Sequence, residues 1–241
     1  MINENGQMSN IIKSGALALG IKLPSESYAL FEKYHDFLDK RRQAFNLTAI
    51  TGIENVARMH FLDSIALLTT ANFHDAQVLD IGSGAGFPGI PLKIAEPSIV
   101  LTLLDSTLKK VVFVSELCSA LDLKATCIHG RAEEMAYKCD LREKFDIAVS
   151  RAVARLNIIC ELSLPYVRVG GVFIAMKSIE SSTEIDDAKE TITALGASLK
   201  ESIDYKIPGT EILHRAIIIQ KISRTQSIYP RRFSKIKKDI I

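Results

Sequence analysis

The sequence predicts an α/β protein in which a doubly wound, mostly parallel sheet follows an all-helical amino-terminal segment. From about Gln77 onward, short apolar runs rich in β-branched residues alternate with longer stretches of helical periodicity. Strands that alternate with helices are typical of βαβ units, whose strands lie parallel. Residues 9–71 contain helical patterns without a good strand pattern, and a cluster of glycines follows the first predicted strand.

Two amphipathic stretches account for most of the amino-terminal segment, for which we expect three helices. In residues 25–45 and 56–70, the apolar positions that share one helical face are Leu30, Phe31, Tyr34, Phe37 and Leu38, then Met59, Leu62, Ile65 and Ala66. Ser25 precedes the first stretch and is a residue type that caps helices.

The α/β region divides into alternating elements. The predicted parallel strands are 77–81, 99–104, 125–128, 145–149 and 171–176, and the predicted helices are 88–95, 107–121, 155–167 and 182–195. Two further strand-like runs, 197–207 and 214–222, have no helix between them, which predicts an antiparallel pair at the edge of the sheet. We therefore divide the chain into a helical extension (1–72), a main α/β domain (73–223) and a basic tail (224–241).

Composition is that of an ordinary soluble protein. The 241 residues suffice for one large domain, with 47% hydrophobic and 24% charged residues. No apolar run approaches the roughly 20 residues that span a bilayer, and the amino terminus lacks the basic region of a secretory signal. The cysteines and histidines show no metal-ligand spacing. We expect a cytoplasmic monomer with no membrane contact and no bound metal.

The net charge of +2 conceals an asymmetry between the body and the carboxyl-terminal end. Residues 221–241 carry seven Lys or Arg and one acid, whereas the other 220 residues hold 23 bases and 27 acids. A basic tail on a mildly acidic body suggests an anionic partner. A frayed, solubilising terminus is the alternative.

The stretch VLDIGSGAGFPG, residues 78–89, places a D-x-G-x-G-x-G pattern at the first βα turn, formed by Asp80, Gly82, Gly84 and Gly86. Glycines at this turn of a doubly wound sheet let a nucleotide-like ligand approach the backbone closely. The dinucleotide fingerprint G-x-G-x-x-G is not met because Phe87 stands at its third glycine, which counts against a nicotinamide cofactor. A purely structural turn remains the alternative.

An acid at the end of the second predicted strand supplies the other half of an adenosine site. Asp105 lies 23 residues after Gly82 and can accept hydrogen bonds from both hydroxyls of a ribose. NAD and S-adenosylmethionine both contain such a ribose. Ala132 and Glu133 follow the third predicted strand and reach the same edge, although Glu133 also suits a solvated helix start.

Three cations follow later predicted strands. Arg151 and Arg155 flank the end of the fourth strand, and Lys177 stands at the end of the fifth. Cations at this edge of the sheet suit a ligand or an anionic substrate, and we expect Arg151, Lys177 and the tail to form one basic face for phosphates. Surface salt bridges are the alternative.

Six motifs recur in the order and spacing of a known family: NLTAI (46–50), HFLDSIAL (60–67), VLDIGSGAGFPGIPLKI (78–94), LLDS…KK (103–110), RAEE (131–134) and SRAVARL (150–156). On these residues, over roughly residues 25–232, the chain resembles the RsmG (GidB) family of bacterial 16S rRNA guanine-N7 methyltransferases. The resemblance implies a class I, Rossmann-like S-adenosylmethionine-dependent fold, with seven strands of which the last is antiparallel. The family's usual YPR(K/R)xGxPxKxPL ending is absent here beyond residues 229–232.

The resemblance also implies site residues. Gly82 and Phe87 line the S-adenosylmethionine site, Asp105 binds the ribose, and Ala132 with Glu133 borders the adenine. With the glycine pattern added, we expect the cofactor site to comprise Asp80, Gly82, Gly84, Gly86, Phe87, Asp105, Ala132, Glu133 and Arg151. The expected catalytic residues are Arg151 and Lys177, and the expected RNA contacts are Arg131, Arg155, Arg231, Arg232 and Lys235.

The expected reaction is direct in-line transfer of a methyl group to guanine N7. That nitrogen has an exposed lone pair, so positioning supplies most of the catalysis, and Arg151 orients the base. The expected partner is 16S rRNA or the small ribosomal subunit, with the target in an irregular or single-stranded element. Two alternatives stay open: a non-catalytic rRNA-binding protein with a vestigial pocket, and a nicotinamide-dependent oxidoreductase.

Overall fold

The computed structural model, which describes residues 6–45, 48–138 and 140–238, contains a seven-stranded sheet in the order β3-β2-β1-β4-β5-β7-β6. The strands are β1 (Gln77–Ile81), β2 (Val100–Asp105), β3 (Ala125–His129), β4 (Phe145–Arg151), β5 (Val167–Ser178), β6 (Ala197–Lys206) and β7 (Leu213–Lys221). Strands β1 to β5 pair in parallel, and β7 runs antiparallel to β5 and β6. The predicted fold class is confirmed. Of the predicted antiparallel pair, β6 alone occupies the edge, because β7 inserts between β5 and β6.

Helices cover both faces of the sheet. They are α1 (Gln7–Ala18), α2 (Ser27–Phe45), α3 (Ile53–Val56), a π-helical segment (Ala57–Leu62), α4 (Asp63–Ile65), a 3₁₀ turn (Ala66–Thr69), α5 (Gly89–Ala95), α6 (Leu108–Ala120), α7 (Ala132–Met135), α8 (Leu156–Ser163), α9 (Ser182–Asp187), α10 (Lys189–Ala194) and α11 (Phe233–Lys238). Helix α8 stops before Pro165, which has no N–H for a helical hydrogen bond. Among the described residues, no helix is both long and apolar enough to cross a bilayer.

Each face of the sheet carries its own hydrophobic layer, because successive side chains of a strand point to opposite sides. On β1, Val78 packs in a cluster with Phe31 of α2 and Phe113 of α6. The next residue, Leu79, packs in a second cluster with Leu156 of α8. Helix α2 therefore shares a core with the sheet, which fixes the amino-terminal helices against the α/β region.

The amino-terminal segment has the three predicted helical stretches, the third running from α3 through the 3₁₀ turn. Helix α2 begins at Ser27 rather than directly after Ser25, and the buried Ser27 hydroxyl donates to the carbonyl of Ile94 at 2.8 Å. In the third stretch every residue from 60 to 66 is buried, so this helix has no solvent face there. Its polar residues His60 and Asp63 consequently lie inside the protein.

The described part of the tail, residues 224–238, forms a carboxyl-terminal segment that folds back onto the α/β region. Arg231 donates from Nε and Nη2 to the two carboxylate oxygens of Glu161 on α8, at 2.9 and 2.7 Å, and Glu161 is only 1% exposed. Ile236 of α11 is buried, and Arg142 donates to the carbonyl of Tyr229. The structure therefore does not present Arg231 as an RNA contact: its guanidinium is bound to a buried carboxylate.

We expect Arg231→Met to lower the free energy of unfolding by about 3 kcal/mol, because the change leaves the buried Glu161 carboxylate without its cation. Arg232→Met is the matched control, since Arg232 is exposed and pairs with no acidic side chain among the described residues. Urea denaturation of both variants provides the measurement. Equal stabilities would show that the ion pair does not anchor the segment.

Candidate functional site

The carboxyl-terminal ends of β1 to β4 open into a cavity of about 600 Å³. The expected site residues that line it are Gly82, Gly84, Phe87, Asp105, Arg131, Ala132, Glu133 and Arg151. Since neighbouring strands lie about 4.8 Å apart, the three steps from β3 to β4 separate the two ends of the cavity by roughly 14 Å. This length suits an extended ligand with a nucleoside at one end.

The glycine loop forms the floor of the cavity. Gly84 has φ +58°, a left-handed conformation that favours glycine, and its N–H donates to Asp105 Oδ2 at 3.0 Å. Ser83 also lines the cavity, and its buried hydroxyl has no hydrogen-bond partner among the described residues. The glycines leave the backbone of this loop accessible, and a polar ligand in the cavity can supply the hydrogen-bond partner that the Ser83 hydroxyl lacks.

Gly86 and Asp80 support this loop from behind and are not among the lining residues of the cavity. A Cβ on Gly86 would lie 2.8 Å from the Tyr34 hydroxyl oxygen, so the glycine serves close packing. Asp80 is fully buried and accepts the Gly89 N–H at 2.8 Å, joining β1 to the start of α5. Burial raises the pKa of Asp80 to about 7, and the hydrogen bond from Gly89 opposes this shift. We therefore revise both from cofactor contacts to supports of the loop.

Asp105 presents its carboxylate at the middle of the cavity. Its oxygens accept the N–H groups of Gly84 at 3.0 Å and Thr107 at 2.8 Å, which fixes the carboxylate plane. Each carboxylate oxygen can accept more than one hydrogen bond, so both retain capacity for ligand hydroxyls. This arrangement fits the ribose contact expected from the sequence.

The β3 end of the cavity is built by the start of α7 and by the carboxyl-terminal segment. Ala132 accepts the Tyr166 hydroxyl on its carbonyl at 2.5 Å, and buried Glu133 lies 3.4 Å from an Arg131 nitrogen. The ring of Phe233 closes this end, with the Arg131 guanidinium 5.9 Å from the ring centroid. The sequence does not indicate Phe233 as a site residue, because only the positive charge of the tail forms a recognisable pattern.

Arg151 dominates the β4 end. Its Nη1 donates to Asp63 Oδ2 at 3.2 Å, and its Nη2 donates to His60 Nδ1 at 2.9 Å. The guanidinium carbon lies 4.9 Å from the centroid of the Phe87 ring. The His60 ring stacks on the same Phe87 ring at 4.3 Å. One cation, one imidazole and one aromatic ring thus form a fixed group.

Asp63 holds this group in place through three hydrogen bonds. Besides Arg151, its carboxylate accepts from the Tyr205 hydroxyl at 2.9 Å and from His214 Nδ1 at 2.7 Å. Asp63 is 1% exposed, so these bonds replace all of its hydration. In the sequence, His60 and Asp63 stand out only as members of the HFLDSIAL motif, and no pattern marks Tyr205 or His214.

His60 is neutral at physiological pH. Burial, followed by the charge of Arg151, lowers the pKa of His60 to about 3. On its other side, Nε2 lies 2.9 Å from the hydroxyl oxygen of Thr48. Thr48 and His60 both line the cavity, so the amino-terminal segment contributes directly to this end.

Lys177 and Arg155 do not line the cavity. Lys177 Nζ donates to the Ala154 carbonyl at 2.6 Å and to Glu184 Oε2 at 2.7 Å, and Glu184 also accepts the Leu156 N–H. Lys177 therefore anchors the loop after β4, and its position does not support the catalytic role expected from the sequence. Arg155 lies 3.7 Å from Asp187, and both side chains are largely exposed.

The chain is similar to known proteins along most of its length. A family model described as GidB, rRNA small subunit methyltransferase G, matches residues 27–211. Ribosomal RNA small subunit methyltransferase G of Alkaliphilus oremlandii is 42% identical over 98% of this chain and 99% of its own. The protein of the same name from Lachnoclostridium phytofermentans is 44% identical over 92% of both chains. An O-methyltransferase from Bacillus cereus, solved in complex with SAH, has a TM-score of 0.57 at 15% identity, covering 89% of this chain and 100% of its own.

We expect Asp105→Ala to weaken binding of an adenosine-type ligand by roughly 1–3 kcal/mol, because ribose hydroxyls lose their acceptor. Calorimetry with S-adenosylmethionine, S-adenosylhomocysteine and NADH measures the loss and identifies the ligand class. Asp140→Ala is the control, because that carboxylate is exposed. Unchanged affinity in a folded Asp105 variant would remove this residue from the site.

Proposed function

Because the chain belongs to the GidB family of rRNA small subunit methyltransferase G proteins, we propose that it methylates N7 of a guanine in 16S rRNA. At the coarser level the chain is an S-adenosylmethionine-dependent rRNA methyltransferase. The finer proposal rests on one observation: the acids and bases at the β4 end of the cavity are already engaged in hydrogen bonds. Guanine N7 is a nucleophile that needs no proton removed, so it suits such a site.

The engaged groups are Asp63 and His60. Asp63 accepts from Arg151, Tyr205 and His214, and the Nδ1 lone pair of His60 accepts from Arg151. A general base must have a lone pair within reach of the proton that it removes. Methylation of an amino or hydroxyl group is therefore poorly served here, whereas attack by a ring nitrogen requires only orientation.

The cavity suits the cofactor's polar groups. Asp105 would hold the ribose, Glu133 and Ala132 would border the adenine beside Phe233, and the Ser83 hydroxyl would meet the amino-acid portion. When bound, S-adenosylmethionine supplies an electrophilic methyl group on a sulfonium. The fixed guanidinium of Arg151 would help to hold the base in place for attack on that methyl group.

Phe87 argues against a nicotinamide-dependent oxidoreductase. Phe87 is 5% exposed, and its ring stacks with the rings of Tyr34, at 5.2 Å, and His60, at 4.3 Å. The third glycine of a dinucleotide fingerprint serves close contact between helix and strand, which this packed ring does not allow. The non-catalytic alternative is decided by measuring methyl transfer.

Transfer of a tritiated methyl group to 16S rRNA tests the proposal. We expect label in one guanine, detected as 7-methylguanine through borohydride and aniline cleavage, with naked rRNA and small subunits compared as substrates. Arg151→Lys is expected to lower kcat by about 100-fold, because a lysine lacks the planar fork that bonds Asp63 and His60, so the base is no longer held in place. Arg168→Lys is the control, since Arg168 pairs with Asp146 away from the cavity. Label on another atom, or no label with either substrate, would contradict N7 methylation.

RNA contact by the carboxyl-terminal segment is a separate part of the proposal. Exposed Arg232 and Lys235 line a groove of about 1080 Å³ that shares Arg131, Glu133 and Phe233 with the cavity. Neither cation pairs with an acidic side chain among the described residues. Arg131 is half-exposed and lines the same groove, so the three cations share it, beside Glu133 and Glu134.

Replacing Arg232 and Lys235 by alanine is expected to flatten the dependence of log K on log salt by about 1.4 units for single-stranded RNA. Each lost phosphate contact removes about 0.7 units from the slope. Lys189 and Lys200, changed together, provide a control with the same loss of charge on α10 and β6. RNA binding titrated from low to high salt gives the slopes, and equal slopes would exclude these two residues as phosphate contacts.

A further inference from the structure

We propose that the Thr48 hydroxyl donates a hydrogen bond to O6 of the target guanine, which makes Thr48 a specificity-determining residue. The inference rests on the proposed function, because it assumes a guanine at the β4 end of the cavity. It extends that function by naming the group that distinguishes guanine from adenine.

The tautomer of His60 follows from its partner. A guanidinium only donates hydrogen bonds, so His60 Nδ1, at 2.9 Å from Arg151 Nη2, must accept. The imidazole is neutral, because burial and the charge of Arg151 hold its pKa at about 3. A neutral imidazole with an accepting Nδ1 carries its hydrogen on Nε2. His60 therefore donates from Nε2.

The acceptor of that hydrogen is the Thr48 hydroxyl oxygen, at 2.9 Å. The same oxygen accepts the N–H of Ile50 at 3.1 Å. A hydroxyl has two lone pairs and one hydrogen, so both lone pairs are in use and only the hydrogen is left to bond. Among the described residues, none accepts it. Thr48 lines the cavity, so its hydroxyl is a committed donor: it can only donate, and a ligand in the cavity can accept its hydrogen.

A committed donor at this place matches guanine. The N7 and O6 atoms of guanine are adjacent acceptors on one edge, whereas adenine carries an amino donor in place of O6. A donor at O6 leaves N7 free to attack, and it opposes the amino group of adenine. The chain of hydrogen bonds from Arg151 through His60 to Thr48 leaves the Thr48 hydroxyl only able to donate, so this role is set before the substrate binds.

The test compares target RNAs in which the guanine is retained or replaced by 2-aminopurine, which keeps N7 and lacks O6. Wild-type protein is expected to methylate the guanine RNA with a kcat/KM about 10-fold higher. Thr48→Val removes the donor and should lower kcat/KM for guanine by about 10-fold with no further loss on 2-aminopurine. Thr48→Ser keeps the hydroxyl and should retain most of the preference for guanine over 2-aminopurine. Thr51→Val is the matched control, because Thr51 is exposed and close in sequence.

S-adenosylmethionine affinity and melting temperature of each variant show whether the site remains folded. Should Thr48→Val unfold, Thr48→Ser against wild type still decides, since loss of discrimination in the serine variant contradicts a hydroxyl donor. Equal guanine to 2-aminopurine ratios in wild type and Thr48→Val would overturn the role of Thr48 and leave the proposed function standing. Absence of transfer to guanine by the wild-type protein would instead overturn both.

Discussion

A single buried carboxylate joins the parts of this protein that form the β4 end of the cavity. Asp63 sits on a helix of the amino-terminal segment, Arg151 ends β4, and Tyr205 and His214 belong to the antiparallel strands β6 and β7. Removing one donor would leave a buried charge with incomplete solvation, which is among the costlier defects in a folded protein. The carboxylate therefore makes the helical segment, the parallel strands and the antiparallel strands depend on one another.

Local pattern predicted the fold because the periodicities of strands and helices are set by neighbours in the chain. The succession of strands and helices along the chain, the antiparallel pair and the glycine loop at the first βα turn could all be predicted from alternation and turn chemistry. The far position of β7, inside the sheet, could not, because spatial order depends on which edges remain free to pair. The packing of the tail against α8 could not be predicted either, because a count of charges does not show that Arg231 pairs with Glu161.

The cavity shows a sharper limit of sequence reasoning. Asp105, at the end of β2, and Glu133, in the first turn of α7, line the cavity. Asp80 and Lys177 lie near the ends of β1 and β5, yet their side chains bond elsewhere. Position along a strand gives the edge of the sheet but not the direction of a side chain. His60, Asp63 and Thr48 come from a segment that precedes the sheet. The contact of His60 with Arg151 spans 91 residues of the chain, and that of Asp63 with His214 spans 151. No local pattern encodes such contacts.

The docked carboxyl-terminal segment has a consequence for the order in which the site is made. Translation proceeds from the amino end, so Phe233 emerges from the ribosome after every other residue that lines the cavity. A nascent chain that already contains the whole sheet and the Asp63 network still lacks the ring that closes the β3 end of the cavity. A product cut short after β7 would therefore keep the glycine loop but leave the β3 end of the cavity open.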